Sequence, residues 1–214
     1  MEGKFKDRVD AGKQLAGELE QYQGKEDAIV LALPRGGLPV AHEIASHLQL
    51  PLDIIIVRKL GTPRNPEVAM GAIGPHRVTL WNEDIIHQLG ITEDQKDRVR
   101  QSEMEELQRR QNKYRQGRED IEVEGKTVIL VDDGVATGAT MKAAIQALKK
   151  LNAGKIIAAI PTAPADTYRE IGTMVDQIKC LMKPTPFFAV GAWYNNFSQV
   201  NDGEVIDILS SYHE

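Results

Sequence analysis

The stretch VILVDDGVATGAT at residues 128–140 places two carboxylates directly before a loop of small residues. Asp132 and Asp133 follow an apolar run that predicts a buried strand, and the next segment, MKAAIQALKK, predicts a helix. Small residues let the backbone approach a ligand, and a helix N-terminus offers unpaired N–H groups and a positive dipole end. The loop therefore suits a phosphate group, with these candidate contacts: Thr137, Gly138, Ala139 and Thr140.

The two aspartates would repel a phosphate unless they bind something else beside it. Carboxylates accept hydrogen bonds from hydroxyl groups and bind divalent cations such as Mg²⁺. A single ligand with a phosphate, a vicinal diol and a metal ion would be a phosphorylated ribose. The alternative is an ordinary strand–turn–helix connection in which Asp132 and Asp133 cap the turn. Other phosphate loops fit poorly, because the stretch lacks the Walker A lysine and the chain lacks the pattern G-x-G-x-x-G.

Apolar runs alternate with helical patterns along the chain. This alternation predicts an α/β fold with a doubly wound, mainly parallel sheet and helices on both faces. The predicted strands are AIVLAL at 28–33, LDIIIV at 52–57, TVILV at 127–131, KIIAAI at 155–160 and QIKCLM at 177–182. Ligands of such sheets bind beyond the carboxyl ends of the strands. The candidate site residues are therefore those at 34–37, 58–59, 132–140, 161–164 and 183–194.

The segment between the second and third core strands departs from this alternation. Its predicted elements are two short strands at 68–73 and 77–81 and a charged helical stretch at 82–119, broken near Gly90. We interpret the chain as one domain, 1–214, with a helical insert at about 62–120 and a small C-terminal hood at about 183–200. The tail is expected to contain a short strand and to end in a helix. A solvated helix is the simplest interpretation of the insert, and a lid or a dimer contact is the alternative.

The composition is that of an ordinary globular protein, with 42% hydrophobic and 27% charged residues among 214. Cys180 is the single cysteine, which excludes an intrachain disulfide and favours a reducing cytoplasm. No run approaches the roughly 18 apolar residues of a membrane span, and the first residues lack the apolar region of a secretory signal. The formal net charge of −5 argues against a nucleic-acid partner bound through an overall basic surface.

The stretch VILVDDGVATGAT resembles the phosphoribosyl-pyrophosphate (PRPP) signature of the type I phosphoribosyltransferases. Three further segments resemble that family in the same order: LALPRGG at 31–37, VRKLGTP at 57–63 and VGAWYNNF at 190–197. They match its pyrophosphate loop, the start of its flexible loop, and the tail segment that closes over the base. The insert at 82–119 lies outside the common pattern and is similar to one found in a bacterial subgroup without an assigned activity.

The resemblance implies a role for each matching residue. Asp132 and Asp133 would bind the ribose hydroxyls, directly or through Mg²⁺ and its water, and residues 137–140 would hold the 5′-phosphate. The pyrophosphate would be held by Arg35, Gly36 and Gly37, in a loop that often contains a cis non-proline peptide in this family. Arg58 and Lys59, at the end of the second strand, would reach the pyrophosphate as well.

The base-binding residues are less defined. Ala136 stands where some purine enzymes carry an acidic residue. Trp193 stands where the purine enzymes often carry a second acidic residue, in the tail. We expect Trp193 or Phe188 to stack on the base, and the alternative is that the aromatic residues of the tail fill the core.

These observations predict a cytoplasmic enzyme, a glycosyltransferase of the pentosyltransferase class. It would transfer the 5-phosphoribosyl group from PRPP to a nitrogenous base, with a purine favoured, and release pyrophosphate. The resemblance also implies Mg²⁺ as cofactor and a homodimer, with no nucleic-acid or membrane partner. One alternative is a non-catalytic regulator that senses PRPP. Another alternative is a receiver-like domain that is phosphorylated on an aspartate. Such a domain does not contain the small-residue loop or PRGG, which makes this alternative the weakest.

Overall fold

The computed structural model describes residues 3–116 and 122–212, and a five-stranded parallel sheet lies at its centre. The strands are β1 Ala28–Ala32, β2 Leu52–Ile54, β3 Arg58–Gly61, β4 Ala69–Ile73, β5 Thr79–Trp81, β6 Thr127–Val131, β7 Lys155–Thr162 and β8 Gln177–Met182. The helices are α1 Arg8–Gly17, α2 Gly37–Leu48, α3 Glu83–Leu89, α4 Glu93–Arg115, α5 Ala139–Lys150, α6 Ala165–Gly172 and α7 Asp202–Ser210. None of the helices within the two ranges combines the length and the apolar character that a membrane crossing requires.

The central sheet has the strand order β2–β1–β6–β7–β8, and every neighbouring pair is parallel. The middle strand is β6, where Val128 lies opposite Ile29 of β1 and Ile156 of β7. All residues of β6 are buried, as is typical of a parallel strand covered on both faces. The predicted parallel sheet is confirmed, and β7 continues two residues beyond its predicted end, to Thr162.

Alternate residues of the strands enter two separate cores. On β6, Ile129 and Val131 pack in the core that contains α1, α2, α4 and α7. Val128 and Leu130 pack in the core that contains α5 and α6. This division follows from the two-residue period of a strand, whose side chains point alternately to opposite faces. Helices therefore cover both faces of the sheet, as the sequence predicts.

A second, antiparallel sheet of β3, β4 and β5 contacts α4 and α5. The predicted strand at 52–57 is wrong in its second half, because β2 ends at Ile54 and the chain starts a new strand at Arg58. The apolar run continues past the end of β2 because the residues that follow are buried. Ile55 is buried in the core of α5 and α6, whereas Ile56 is buried in the other core. The two residues therefore keep the alternating burial of a strand, and the Ile55 N–H still donates to the Ala32 carbonyl of β1 at 3.0 Å, although the register with β1 ends at Ile54.

The predicted break in the charged helical stretch is confirmed. Gly90 ends α3 in the left-handed conformation, with φ of +59°. Thr92 then caps α4, since its side chain accepts a hydrogen bond from the backbone of Gln95 while the Gln95 side chain accepts one from the backbone of Thr92. α4 ends at Arg115, and the predicted continuation to residue 119 falls partly outside the described residues.

The predicted strand in the tail is wrong. Residues 183–200 contain a 3₁₀ turn at Val190–Trp193, and their only strand-like pairing is an isolated bridge between Tyr194 and Phe5. The rings of Tyr194 and Phe5 lie 5.3 Å apart and those of Tyr194 and Phe197 lie 4.9 Å apart. The aromatic residues therefore pack against one another and against the segment before α1, and this packing defines the hood.

Candidate functional site

The acidic pair lies at the carboxyl end of β6, in the middle of the central sheet. The Asp132 carboxylate accepts a hydrogen bond of 2.9 Å from the backbone N–H of Asp133. Burial raises the pKa of Asp132 well above its usual range, and the charge of Asp133 raises it further. Burial also raises the pKa of Asp133, and the guanidinium of Arg8 opposes that shift. Two carboxylates in this setting favour a nearby cation.

The loop after the acidic pair is shaped by two glycines. Gly138 has a φ of +75°, a conformation that favours glycine, and it precedes the first residue of α5. No side chain caps this helix, so the N–H groups of its first turn face a potential ligand. At Gly134, a Cβ atom would overlap the side chain of Val190 in the hood. The hydroxyl of Thr167 donates a 2.7 Å hydrogen bond to the Ala136 carbonyl and so fixes the loop against α6.

The PRGG loop after β1 lies directly against the acidic pair. Its Pro34–Arg35 peptide is cis, the feature that the family resemblance implies. A Cβ atom on Gly36 would lie 2.7 Å from the Cγ of Asp133, and one on Gly37 would lie 2.7 Å from the backbone oxygen of Val131. Glycine at both positions therefore permits a backbone approach that any larger residue would obstruct.

A cleft of about 490 Å³ opens beside this contact, and Arg35, Gly36 and Asp133 line it. The Arg35 guanidinium faces Asp202 at the start of α7, with 3.7 Å between Nη1 and Oδ1. Val190 of the hood lines the cleft from the other side. The structure thus brings the predicted pyrophosphate loop and one of the two predicted acidic residues to a single opening.

The two basic residues after β2 have acidic partners. Arg58 donates to the Glu103 carboxylate on α4, with a distance of 2.7 Å from Nε to Oε2. Lys59 is exposed and its Nζ lies 3.4 Å from the Glu67 carboxylate. Their contact with a pyrophosphate stays a prediction.

The predicted base-stacking residues differ in exposure. Phe188 is 84% exposed, whereas Trp193 is half-buried and stacks on Phe187 with ring centroids 6.5 Å apart. The indole N–H of Trp193 is buried without a hydrogen-bond partner. The 490 Å³ cleft is instead lined by Phe197, the last residue of the segment VGAWYNNF, to which the sequence analysis gave no separate role.

Sequence reasoning also missed two residues that contact Asp133. Arg8, the first residue of α1, donates from Nε to the Asp133 carboxylate at 2.8 Å. Tyr194 donates from its hydroxyl to the Asp133 backbone oxygen at 2.5 Å. Burial raises the pKa of Tyr194 well above its usual range, so this hydroxyl keeps its proton. The quoted segment VGAWYNNF contained Tyr194, but no local signal pointed to Arg8.

A family model described as a phosphoribosyl transferase domain matches residues 4–195. Two curated proteins of Mycobacterium tuberculosis are each 46% identical over 209 residues: "Putative phosphoribosyl transferase MT0597" from strain CDC 1551 / Oshkosh and "Putative phosphoribosyl transferase Rv0571c" from strain ATCC 25618 / H37Rv. The matches cover 98% of this chain but 47% of each relative, so the chain spans about half the length of these proteins.

A solved structure is similar over nearly the whole chain. The crystal structure of TT1426 from Thermus thermophilus is 35% identical, with a TM-score of 0.88, and the match covers 98% of this chain and 99% of that one. A match over 98% of this chain includes the helical insert formed by α3 and α4.

Proposed function

Because this chain belongs to the phosphoribosyl transferase domain family, we propose that it transfers the 5-phosphoribosyl group of PRPP to a nitrogenous base and releases pyrophosphate. One observation carries the proposal: the contact between Gly36 and Asp133, which leaves no room for a Cβ atom. It brings the PRGG loop against the acidic pair, which supports the proposal because PRPP carries both a pyrophosphate and a ribose diol. A purine is the favoured acceptor, because the tail segment at 190–197 resembles that of the purine enzymes.

Each part of the site would hold one part of PRPP. The backbone N–H groups and hydroxyls of residues 137–140 would bind the 5′-phosphate, and residues 35–37 would bind the pyrophosphate. Asp132 and Asp133 would accept hydrogen bonds from the ribose hydroxyls. The reaction develops positive charge on the ribose ring as the pyrophosphate departs, so the protein acts mainly by positioning and by electrostatic stabilisation.

Mg²⁺ fits the donor set at this site. It prefers carboxylate and phosphate oxygens and keeps several waters, so one or two aspartates together with a diphosphate suffice. Asp132 and Asp133 would hold it, directly or through water. The ion pair between Asp133 and Arg8 supports a preference for positive charge at this carboxylate. When bound, the metal neutralises charge on the departing pyrophosphate.

The acceptor side of the site would lie under the hood. Trp193 and Phe188 are our candidates for stacking on the base. The Phe188 ring is exposed, and it would have to turn toward the cleft to reach a base there. We further propose a cytoplasmic homodimer, which rests on family resemblance and the single cysteine. Light scattering of the purified chain would test the dimer.

The decisive experiment is incubation with PRPP, Mg²⁺ and a panel of purines and pyrimidines, with nucleotide products identified by mass spectrometry. We expect a nucleotide product from at least one base. PRPP that binds without giving any product would favour the regulatory alternative, and no binding of PRPP would refute both.

The double variant Asp132→Asn, Asp133→Asn is expected to abolish turnover, because it removes both carboxylates that would face the ribose and the metal. Charge stabilisation of this kind is worth roughly 100- to 1000-fold per group. Arg109→Gln on the exposed face of α4 is the control and should retain full rate. Wild-type turnover by the double variant would exclude this role for the acidic pair.

A further inference from the structure

The segment before α1 is attached to the hood. The backbone N–H of Phe5 donates to the Trp193 carbonyl at 3.0 Å, and the backbone N–H of Asn195 donates to the Phe5 carbonyl at 2.8 Å. The next residues along the segment lead directly into Arg8, at the first turn of α1. The position of the hood and that of Arg8 are therefore linked through a short piece of backbone.

Arg8 is held at the site by three contacts of different kinds. Nε donates to the Asp133 carboxylate at 2.8 Å, and Nη1 donates to the Ser198 carbonyl at 2.7 Å. The guanidinium also lies over the ring of Phe197, with its central carbon 3.9 Å from the ring centroid. Its side chain is only 11% exposed. One guanidinium thus joins the acidic pair to two residues of the hood region.

The contact with Asp133 conflicts with the proposed binding of a divalent cation. The carboxylate oxygen that accepts from Arg8 belongs to the same group that would hold Mg²⁺. Two cations at one largely buried carboxylate repel each other strongly, because little solvent separates them. Arg8 also lines the cleft beside Arg35. The guanidinium of Arg8 therefore has open space next to the loop that would hold the pyrophosphate.

We propose that Arg8 is a built-in counter-cation of Asp133 that a divalent cation displaces. This inference rests on the proposed function, since it requires metal-assisted PRPP binding at the acidic pair. In the ligand-free protein, Arg8 neutralises Asp133 and ties Phe197 and Ser198 to it. When a divalent cation binds, the guanidinium would leave Asp133 and turn toward the pyrophosphate, and the hood would lose one of its contacts with Asp133. A second contact, from the Tyr194 hydroxyl to the Asp133 backbone oxygen, does not involve the carboxylate and would be retained.

The direct test follows the Arg8 Nε–H in the wild-type protein by ¹H–¹⁵N NMR, with the resonance assigned from Arg8→Lys. A buried N–H in a 2.8 Å ion pair is protected from solvent exchange, so we expect a sharp signal without ligand. We expect that signal to shift or broaden when Mg²⁺ and PRPP saturate the site. If PRPP binds and the signal keeps its position and protection, the inference is wrong while the proposed function stands. If neither PRPP nor Mg²⁺ binds, both are wrong.

A second measurement uses the metal alone. Mn²⁺ binding, followed by electron paramagnetic resonance, is compared among the wild type, Arg8→Gln and Arg109→Gln. The control removes an equal charge from an exposed arginine, and its partner Glu106 keeps a second arginine, Arg110. We expect Arg8→Gln to bind Mn²⁺ about tenfold tighter, since it removes a competing cation. Equal or weaker binding by a folded Arg8→Gln, checked by circular dichroism, would overturn the inference.

Discussion

The carboxyl edge of the central sheet and the α4 region differ in the contacts that surround them. At the edge, the backbone of the PRGG loop lies so close to its neighbours that Gly36 and Gly37 leave no room for a Cβ atom. Around α4, ion pairs such as the one between Arg58 and Glu103 add to the packing of apolar residues in the core. Steric repulsion changes steeply over fractions of an ångström, whereas water weakens the attraction within an exposed ion pair. A small change should therefore be costly at the edge and mild at α4, except where α4 buries its charges.

Among single substitutions, the largest effect on ligand binding is expected from Gly36→Ala. The new methyl group would lie 2.7 Å from the Cγ of Asp133, so the loop or the Asp133 carboxylate must shift. A misplacement of about 1 Å costs roughly 100-fold in rate, and we expect PRPP affinity or turnover to fall by about that factor. Calorimetry with PRPP and steady-state kinetics are the measurements.

Gly17→Ala is the matched control for this substitution, because a Cβ atom on Gly17 would meet nothing within 4 Å. It should leave PRPP binding unchanged. A Gly36→Ala variant that bound PRPP like the wild type would show that the close approach of the two loops does not matter.

The largest effect on stability is expected where α4 buries a charge. Arg115 donates to the Asp53 carboxylate at 2.8 Å and to the Ile54 carbonyl at 2.9 Å, and both charged side chains are 7% exposed. Arg115→Ala leaves Asp53 without this partner, and the loss of one member of a buried pair costs about 3–5 kcal/mol. Urea unfolding followed by circular dichroism should show a loss of that size in the free energy of unfolding.

Arg109→Ala on the same helix removes an exposed arginine and is expected to change the free energy of unfolding by no more than about 0.5 kcal/mol. Equal effects from the two substitutions would contradict the distinction between buried and exposed charges on α4.

The smallest effect is expected from Glu103→Gln, which weakens the half-buried pair with Arg58. The loss in stability should stay below about 1 kcal/mol. If Arg58 reaches the pyrophosphate, releasing Arg58 from Glu103 should tighten pyrophosphate binding about two- to fivefold. That factor is equivalent to roughly 0.5–1 kcal/mol. Calorimetry with pyrophosphate, with Glu106→Gln as control, measures this. Weaker binding by Glu103→Gln would mean that Glu103 instead orients Arg58 for the ligand.

The same contrast explains which parts of the fold were predictable. The five core strands and the flanking helices follow from local apolar periodicity, and the parallel sheet is confirmed. The end of β2 was not predictable, because Ile55 and Ile56 are apolar and buried in alternate cores like strand residues, although the register with β1 ends at Ile54. The tail strand was predicted wrongly because aromatic residues are common in strands, whereas here the ring of Tyr194 packs against those of Phe5 and Phe197.

The candidate site divides in a similar way. Asp132, Asp133 and the loop at 137–140 lie in one short stretch of sequence, so they could be predicted together as parts of one site. Arg8 lies 125 residues from Asp133 along the chain, and nothing in its local sequence marks it. Arg58 looked like a free basic residue at a strand end, and only the packing of α4 gives it Glu103 as a partner.

The sequence by itself determined the order of the core strands along the chain, the acidic pair and the small-residue loops, because backbone propensity and side-chain chemistry are properties of neighbouring residues. Tertiary structure decided that the PRGG loop lies against Asp133, that Arg8 supplies its counter-charge, and that acidic side chains hold Arg35 and Arg58. Those pairings depend on how helices and strands far apart in the chain pack together. Charge interactions act over a few ångströms of space regardless of sequence separation, so only the folded chain could reveal them.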